Sequence, residues 1–246
     1  MRRGVLVTGG AKRLGALFCR TLAEAGWAVA VHYNRSRGEA EALAGEIGGI
    51  AVGGDLSDLG LPPRLIRDAG EALGVPLTGL VNSASIFEHD TAADTGPESL
   101  QRHFAVNTAA PVLLAQAFAK DAPEGDAAIV NVLDQKLWNP NPDHFAYTLS
   151  KSALREATTL MAQAFAPKVR VIGVAPGYCL PSPGQSEESF EAQADRHNAL
   201  KRRLDPVHVA QAVRFALENP AITGTTLLAD NGEHLVPTER DVAFKG

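Results

Sequence analysis

The stretch Val5-Leu6-Val7-Thr8-Gly9-Gly10-Ala11-Lys12-Arg13-Leu14-Gly15 constrains this chain more than any other. A β-branched apolar run ends in glycines, and a helical pattern follows at once. Leu14, Leu17, Phe18, Leu22 and Ala25 recur at i, i+3, i+4 spacing, and Gly26 is a C-terminal stop. This reads as strand, tight turn, helix. Free N–H groups at the start of such a helix, together with the positive end of its dipole, suit a phosphate. Gly9 lets the chain turn, and Gly15 lets helix and strand approach each other. The spacing is T-G-x-x-x-R-x-G, with Arg13 in place of the middle glycine of a simple G-x-G-x-x-G fingerprint.

The next strand, Ala28 to Tyr33, sharpens this reading. An acidic residue about 20 positions past the glycines would bind the ribose hydroxyls of NAD. Asn34, Arg35 and Ser36 stand there instead. A guanidinium meets a phosphate through forked, charge-assisted hydrogen bonds. The residues therefore point to NADPH as cofactor, with Arg13 and Arg35 as candidates for its 2′-phosphate and Gly9, Leu14, Asn34 and Ser36 around it. The plainer alternative is that both arginines are solvated surface charges.

Strands alternate with helices along the rest of the chain, which argues for a parallel sheet covered on both faces. Glu39 to Ile47 reads as a helix, Ile50 to Val52 as a third strand, and Pro62-Pro63 open a helix that stops at Gly74. Asp55 and Leu56 follow the third strand at the carboxyl edge, where open α/β folds bind ligands. Asp55 either accepts from an adenine amino group or caps the next helix. Leu80-Val81 leads a fourth strand into Asn82-Ser83-Ala84-Ser85-Ile86-Phe87. Pro97 restarts a helix reaching Asn107, kinked or divided at Pro111. Asn107, in an apolar stretch, is either a packing anchor or part of a proton path. Strands at Ala128–Asp134, Val169–Val174 and Thr225–Ala229, a long helix from Tyr147 to about Ala166, and a last helix opened by Asp205-Pro206 complete the pattern. Pro181, Ser182, Pro183 and Gly184 mark the loop from Tyr178 to Glu188 as a possible lid. The expectation is one domain over residues 1–246: a doubly wound parallel α/β sheet of about seven strands, with helices on both faces.

Composition narrows the function. At 246 residues and 45% hydrophobic, the chain can bury a full core. A net charge of −5 and a pI near 5.8, with no basic stripe, argue against a nucleic-acid partner. No apolar run is long enough to span a bilayer, and the first strand begins almost at Met1, so a cytoplasmic location without membrane contact is expected. Cys19 and Cys179 are isolated and read as reduced thiols. The scattered histidines predict no metal site.

The chemistry centres on Tyr147 and Lys151, one helical turn apart on one face. A free phenol ionises near about pH 10, and a neighbouring ammonium would lower that value. Such a pair can give a proton to a substrate while hydride arrives from a nicotinamide.

With these residues in place, the chain resembles the short-chain dehydrogenase/reductases over nearly its full length. The resemblance rests on the Thr8–Gly15 turn, Asp55-Leu56, Asn82-Ser83-Ala84, Asn107, Tyr147 and Lys151, Pro176-Gly177, and the Asp230-Asn231-Gly232 ending. It implies a single-domain Rossmann fold, NAD(P) dependence, a homotetramer or homodimer, Lys151 on the nicotinamide ribose, and Asn107 continuing a proton relay. It also implies cofactor contacts from Asp55, Leu56, Asn82, Ser83, Ala84, Pro176 and Gly177. The long helix, with Leu149, Ala153, Ala157, Leu160 and Ala164, could dock against a twin.

Three departures indicate a subgroup. Asp134 replaces the usual serine after the fifth strand, Ser83-Ala84-Ser85 replaces the usual Asn-Ala-Gly, and the turn carries Lys12-Arg13-Leu14. These resemble pteridine reductases, dihydromonapterin reductases and alternative dihydrofolate reductases. The resemblance implies a pterin or folate substrate held by Ser85, Phe87, Asp134 and Tyr147, with a proton from Asp134 and Tyr147 joined by water. A flat ring also wants an aromatic face opposite the nicotinamide. Asp134 could instead be a strand-end cap and Phe87 a loop aromatic packed on the core. Reduction of a ketone such as a 3-oxoacyl thioester, and a non-catalytic NADPH sensor, are the competing functions.

Overall fold

A computed structural model describes residues 3–125, 127–182 and 184–244. Seven parallel strands form one sheet: β1 (Gly4–Val7), β2 (Ala28–Tyr33), β3 (Ile50–Gly53), β4 (Leu77–Asn82), β5 (Ala127–Val132), β6 (Val169–Pro176) and β7 (Thr226–Ala229). Their order is β3-β2-β1-β4-β5-β6-β7. The order reverses between β1 and β4, so a crevice opens there at the carboxyl edge.

Strand alternation explains the two-sided core. Val5 and Val7 of β1 face one side. There they meet α1 (Arg13–Glu24), α2 (Arg37–Ile47) and α8 (Pro206–Glu218) through Phe18, Leu43 and Val213. Leu6, Leu80 and Ile129 face the other side. They pack on α3 (Pro62–Leu73), α5 (Ala110–Asp121) and α6 (Phe145–Phe165) through Leu65, Leu114 and Met161. Strands buried on both faces, as β1, β5 and β6 are, read as continuous apolar runs in the sequence.

The helix opened by Pro97 ends earlier than expected. It forms α4 (Pro97–Phe104), and a π-helical turn at Ala105–Ala109 separates it from α5. Pro111 sits at the start of α5 directly after the π-helical turn, so the helix is divided there, as the proline predicts. A short α7 (Glu187–Glu191) follows the Tyr178 loop. Leu149 and Leu160 stand 40% and 63% exposed on the outer side of α6, on the surface offered for a twin. Among the described residues, no helix is long and apolar enough to cross a membrane.

Candidate active site

The crevice between β1 and β4 is tied shut at its base by Thr8. Its hydroxyl oxygen accepts from the backbone N–H groups of Ser83 (2.9 Å) and Ala84 (3.1 Å). Gly9 adopts φ +62°, and a Cβ there would lie 2.9 Å from Ala84 Cα. A Cβ on Gly15 would lie 2.1 Å from the Gly9 carbonyl oxygen, so only glycine lets α1 start this close to the turn. No side chain caps the start of α1. Its first N–H groups are left to an external acceptor, and this cradle fits the pyrophosphate of a dinucleotide.

His32, buried on β2, braces the turn. Gly9 N donates to its Nδ1 (3.2 Å), which places the ring proton on Nε2, 3.1 Å from the Gly54 carbonyl oxygen. Burial lowers its pKa to about 4. The sequence reading overlooked this histidine because its role is set by the crossover, not by its neighbours in the chain.

A cavity of about 560 Å³ runs from the glycine turn to the C-terminal segment. Of the residues singled out above, Gly9, Arg13, Leu14, Ser83, Ala84, Ser85, Phe87, Asp134, Tyr147, Lys151, Pro176 and Gly177 line it. Asn34, Arg35, Ser36, Asp55, Leu56, Asn82 and Asn107 are not part of its lining. Asn82 is buried and donates from Nδ2 to Asn131 Oδ1 (2.8 Å), so its side chain bridges two strands and does not face the cavity. Asn34, Arg35 and Ser36 sit on an outer rim with Asp55, and Leu56 packs in the core beside Leu65. Asp55 accepts from Ser57 N (2.9 Å) and Ser57 Oγ (2.8 Å), and these bonds hold its carboxylate below the usual range. It closes a local turn. The next helix starts only at Pro62 with no side-chain cap, so the capping role is corrected. Arg35 is exposed, its charge acts on Asp55, and it is not part of the cavity lining. Arg13 lines the cavity, adopts φ +54°, and donates to the Pro181 carbonyl (2.6 Å), fastening the Tyr178 loop. Lys12, one of the residues that mark the subgroup, also lines the cavity and pairs with Glu39 at 2.6 Å.

Tyr147, Asp134 and Lys151 converge where β5 ends against α6. The Tyr147 hydroxyl donates directly to Asp134 Oδ2 at 2.7 Å, so the expected bridging water gives way to a direct bond. Asp134 Oδ1 accepts from Lys136 N (2.8 Å), so it does cap a short turn, at Gln135–Leu137, while also reaching the phenol. Burial pushes the Asp134 carboxyl up, with the hydrogen bond from Tyr147 opposing. Burial, and then the charge of Asp134, push the Tyr147 phenol up as well. This corrects the expectation that Lys151 lowers it. The ammonium lies 6.0 Å from the phenol ring centroid and donates to the Val132 carbonyl (2.7 Å). Burial lowers the Lys151 pKa to about 8. Asp134 and Tyr147, unlike Lys151, therefore hold their protons more tightly than the free groups would.

Asn107 resolves as an anchor through its side chain. Lying in the π turn, its Oδ1 accepts from Ile86 N (2.8 Å) and its Nδ2 donates to Ser150 Oγ (3.0 Å). It fixes the segment carrying Ser85 and Phe87 against α6. Phe87 is half-buried. It stacks on His144 (centroids 4.0 Å) and meets Tyr147 edge-on (4.7 Å), with its ring on the cavity wall.

Sequence reading missed Glu233, Lys136 and Asp241. Glu233 is buried in the cavity wall and accepts from Tyr178 N (2.7 Å) and Gln135 Nε2 (3.0 Å). Burial raises its pKa to about 8. The one signal was the unusual Asp230-Asn231-Gly232-Glu233-His234 ending. There Asn231 takes φ +52°, a left-handed conformation asparagine tolerates in place of glycine. Among the described residues, no cluster of histidine, cysteine or carboxylate is arranged to hold a metal.

A family model described as enoyl-(acyl carrier protein) reductase matches residues 9–234. The structure is similar to that of FolM alternative dihydrofolate reductase 1 from Brucella suis in complex with NADP. The two are 41% identical with a TM-score of 0.90, over 95% of this chain and 96% of that one. The Brucella canis protein complexed with NADP gives 42% and 0.89, over 95% and 94%. The 3-oxoacyl-[acyl-carrier-protein] reductase of Mus musculus is 29% identical, over 93% of this chain and 97% of that protein.

Proposed function

The chain belongs to the short-chain dehydrogenase/reductase family, and we propose that within it the protein is an NADPH-dependent pteridine reductase, taking a dihydropterin or dihydrofolate to the tetrahydro form. The observation that carries this reading is the 2.7 Å bond between Tyr147 and Asp134, beside the ring of Phe87. The NADP-bound relatives support the cofactor. When bound, the dihydronicotinamide supplies the hydride. The chain's own residues do the rest. The glycine turn and the start of α1 hold the phosphates, and Ser83, Ala84, Pro176 and Gly177 line the path towards Tyr147. Phe87 offers a face to a flat heterocycle. With Asp134 protonated, as its burial favours, Tyr147 passes its proton to the ring nitrogen and takes the carboxyl proton in exchange, and the Asp134 carboxylate left behind is reprotonated from solvent. Lys151, fixed by Val132, sets a positive charge below the ring of Tyr147.

A second reading, reduction of a 3-oxoacyl thioester, is supported by the murine relative. Against it, Asp134 stands in place of the serine whose hydroxyl, by the family resemblance, holds the carbonyl oxygen of a ketone. NADPH oxidation measured with dihydrobiopterin, dihydromonapterin, dihydrofolate and a 3-oxoacyl thioester separates the two. Turnover is expected with the dihydropteridines, and it should fall as pH rises, because the raised Asp134–Tyr147 pair must keep its proton. Turnover confined to the thioester would remove the proposal.

A further inference from the structure

One carboxyl of the cavity wall takes no part in the proton transfer. Glu233 is 5% exposed and lines the cavity beside Gln135, Tyr178 and Cys179. A Cβ on Gly177 would lie 2.7 Å from Glu233 Oε2, so only a residue without a side chain lets the carboxyl in here. Burial raises its pKa to about 8, against the bond from Tyr178 N, with the charges of Asp134, Asp230 and Asp241 adding to the rise. Asp241 bonds the buried ammonium of Lys136 at 3.3 Å, and Asp230 bonds the imidazole of His234 at 2.6 Å, whereas Glu233 holds two N–H donors.

Each oxygen of Glu233 holds a different segment. Oε2 accepts from Tyr178 N at 2.7 Å, at the root of the loop after β6, and Oε1 accepts from Gln135 Nε2 at 3.0 Å. Gln135 follows Asp134, in the short turn that Asp134 Oδ1 caps. The Oε1 atom of Gln135 is buried without a partner among the described residues, so Glu233 is what ties that side chain. The loop also has bonds of its own. The Tyr178 hydroxyl donates to Gln185 Oε1, which accepts from Ser182 N as well, at 3.0 Å. Such bonds give the loop a shape but do not place it against the rest of the chain. Two side chains from outside do so: Arg13, at the Pro181 carbonyl, and Glu233, at the root, joined to the residue after Asp134.

We propose that Glu233 is a positioning residue: by joining Tyr178 to Gln135 it fixes the loop wall of the cavity relative to Asp134, so that the substrate meets a wall already in place. Tyr178, Cys179, Leu180 and Ser182 form the part of the lining that it sets. A wall held in advance need not be ordered when a ligand binds, so its loss should fall on KM more than on kcat. This role holds for a pteridine or a ketone alike. Glutamine can serve in place of the acid: its carbonyl accepts from Tyr178 N, and its amide donates to Gln135 once that amide turns over. Alanine can do neither.

The test reads loop opening through Cys179, 3% exposed beside Tyr178, with Cys19, 0% exposed in the core, as the internal control. Iodoacetamide labelling of the full chain, followed by peptide mass spectrometry, should be about tenfold faster at Cys179 in Glu233→Ala than in wild type, and within about twofold of wild type in Glu233→Gln. Cys19 should stay slow in all three. With NADPH and 7,8-dihydrobiopterin, Glu233→Ala should raise KM about tenfold and change kcat by less than about threefold, and Glu233→Gln should restore KM. Gln135→Ala cuts the clamp at its other end and should speed Cys179 labelling about threefold, which decides the matter if Glu233→Ala does not fold. Unchanged Cys179 labelling in both alanine variants, or equal acceleration by alanine and glutamine at position 233, would overturn the proposal. So would Cys19 speeding up in step with Cys179, since Glu233 would then only stabilise the fold. Wild-type protein inactive on dihydrobiopterin would overturn the pteridine reading and leave the labelling to decide this one.

Discussion

The two ends of the cavity are built by different means. The glycine end is made by one unbroken stretch, Thr8 to Gly15, through backbone groups and the start of α1. Its long-range partners, His32, Ser83 and Ala84, mainly hold the turn in shape. The far end is made by side chains from four separate segments, carrying Phe87, Asp134, Tyr147 and Asp241. Backbone geometry tolerates many side chains, so the first end is a general holder for a dinucleotide. Side-chain geometry is exacting, so the proposed chemistry and choice of substrate belong to the second end.

That division should break first, and most visibly, at Tyr147. Tyr147→Phe removes the proton donor and should lower kcat about a thousandfold, equivalent to about 4 kcal/mol in the barrier. NADPH affinity, read by fluorescence titration, should stay within about a factor of two, because the glycine end is untouched. An equal loss of cofactor affinity would erase the distinction between the ends.

Acid should act on the other end. Free histidine ionises at 6.5, and folded His32 at about 4. The native state thus binds fewer protons than the unfolded state between those values. The stability due to neutral His32 is complete above pH 6.5 and is lost as pH falls towards 4, about 3 kcal/mol in all. Urea unfolding at a series of pH values measures this slope. His32→Gln should flatten it, and an unchanged slope in that variant would show that the brace does not depend on the neutral ring.

The smallest effect is expected at Phe87. Phe87→Ala should raise KM for the ring substrate by about five- to tenfold, roughly 1 kcal/mol of ring contact. The Tyr147–Asp134 bond does not pass through Phe87, so kcat should change little. A large fall in kcat with KM unchanged would mean that Phe87 positions the phenol and does not hold the substrate.

These contrasts track how far each part could be read in advance. The glycine turn, the seven strands and the Tyr147–Lys151 spacing are local patterns, governed by periods of two and 3.6 residues and by the backbone freedom of glycine. Misreadings arose where a residue's partners lie far away. Asn82 carries the same amide whether it faces a cofactor or Asn131, and only the pairing of β4 with β5 decides which. The spacing couples the phenol of Tyr147 to Lys151, four residues on, whereas in the fold it responds chiefly to burial and to Asp134, thirteen residues back.

By itself, then, the sequence determined the parallel α/β sheet, its phosphate-binding turn, and the phenol and carboxyl group that mark a reductase. Short-range sterics and hydrophobic periodicity act between neighbours and leave their mark in the order of residues. Tertiary structure alone decided which charges meet in the cavity. It joined Asp134 directly to Tyr147, drew Glu233 under Gly177, and brought Asp241 across roughly a hundred residues to Lys136. Burial and electrostatic coupling depend on distance in space, and distance along the chain does not report it.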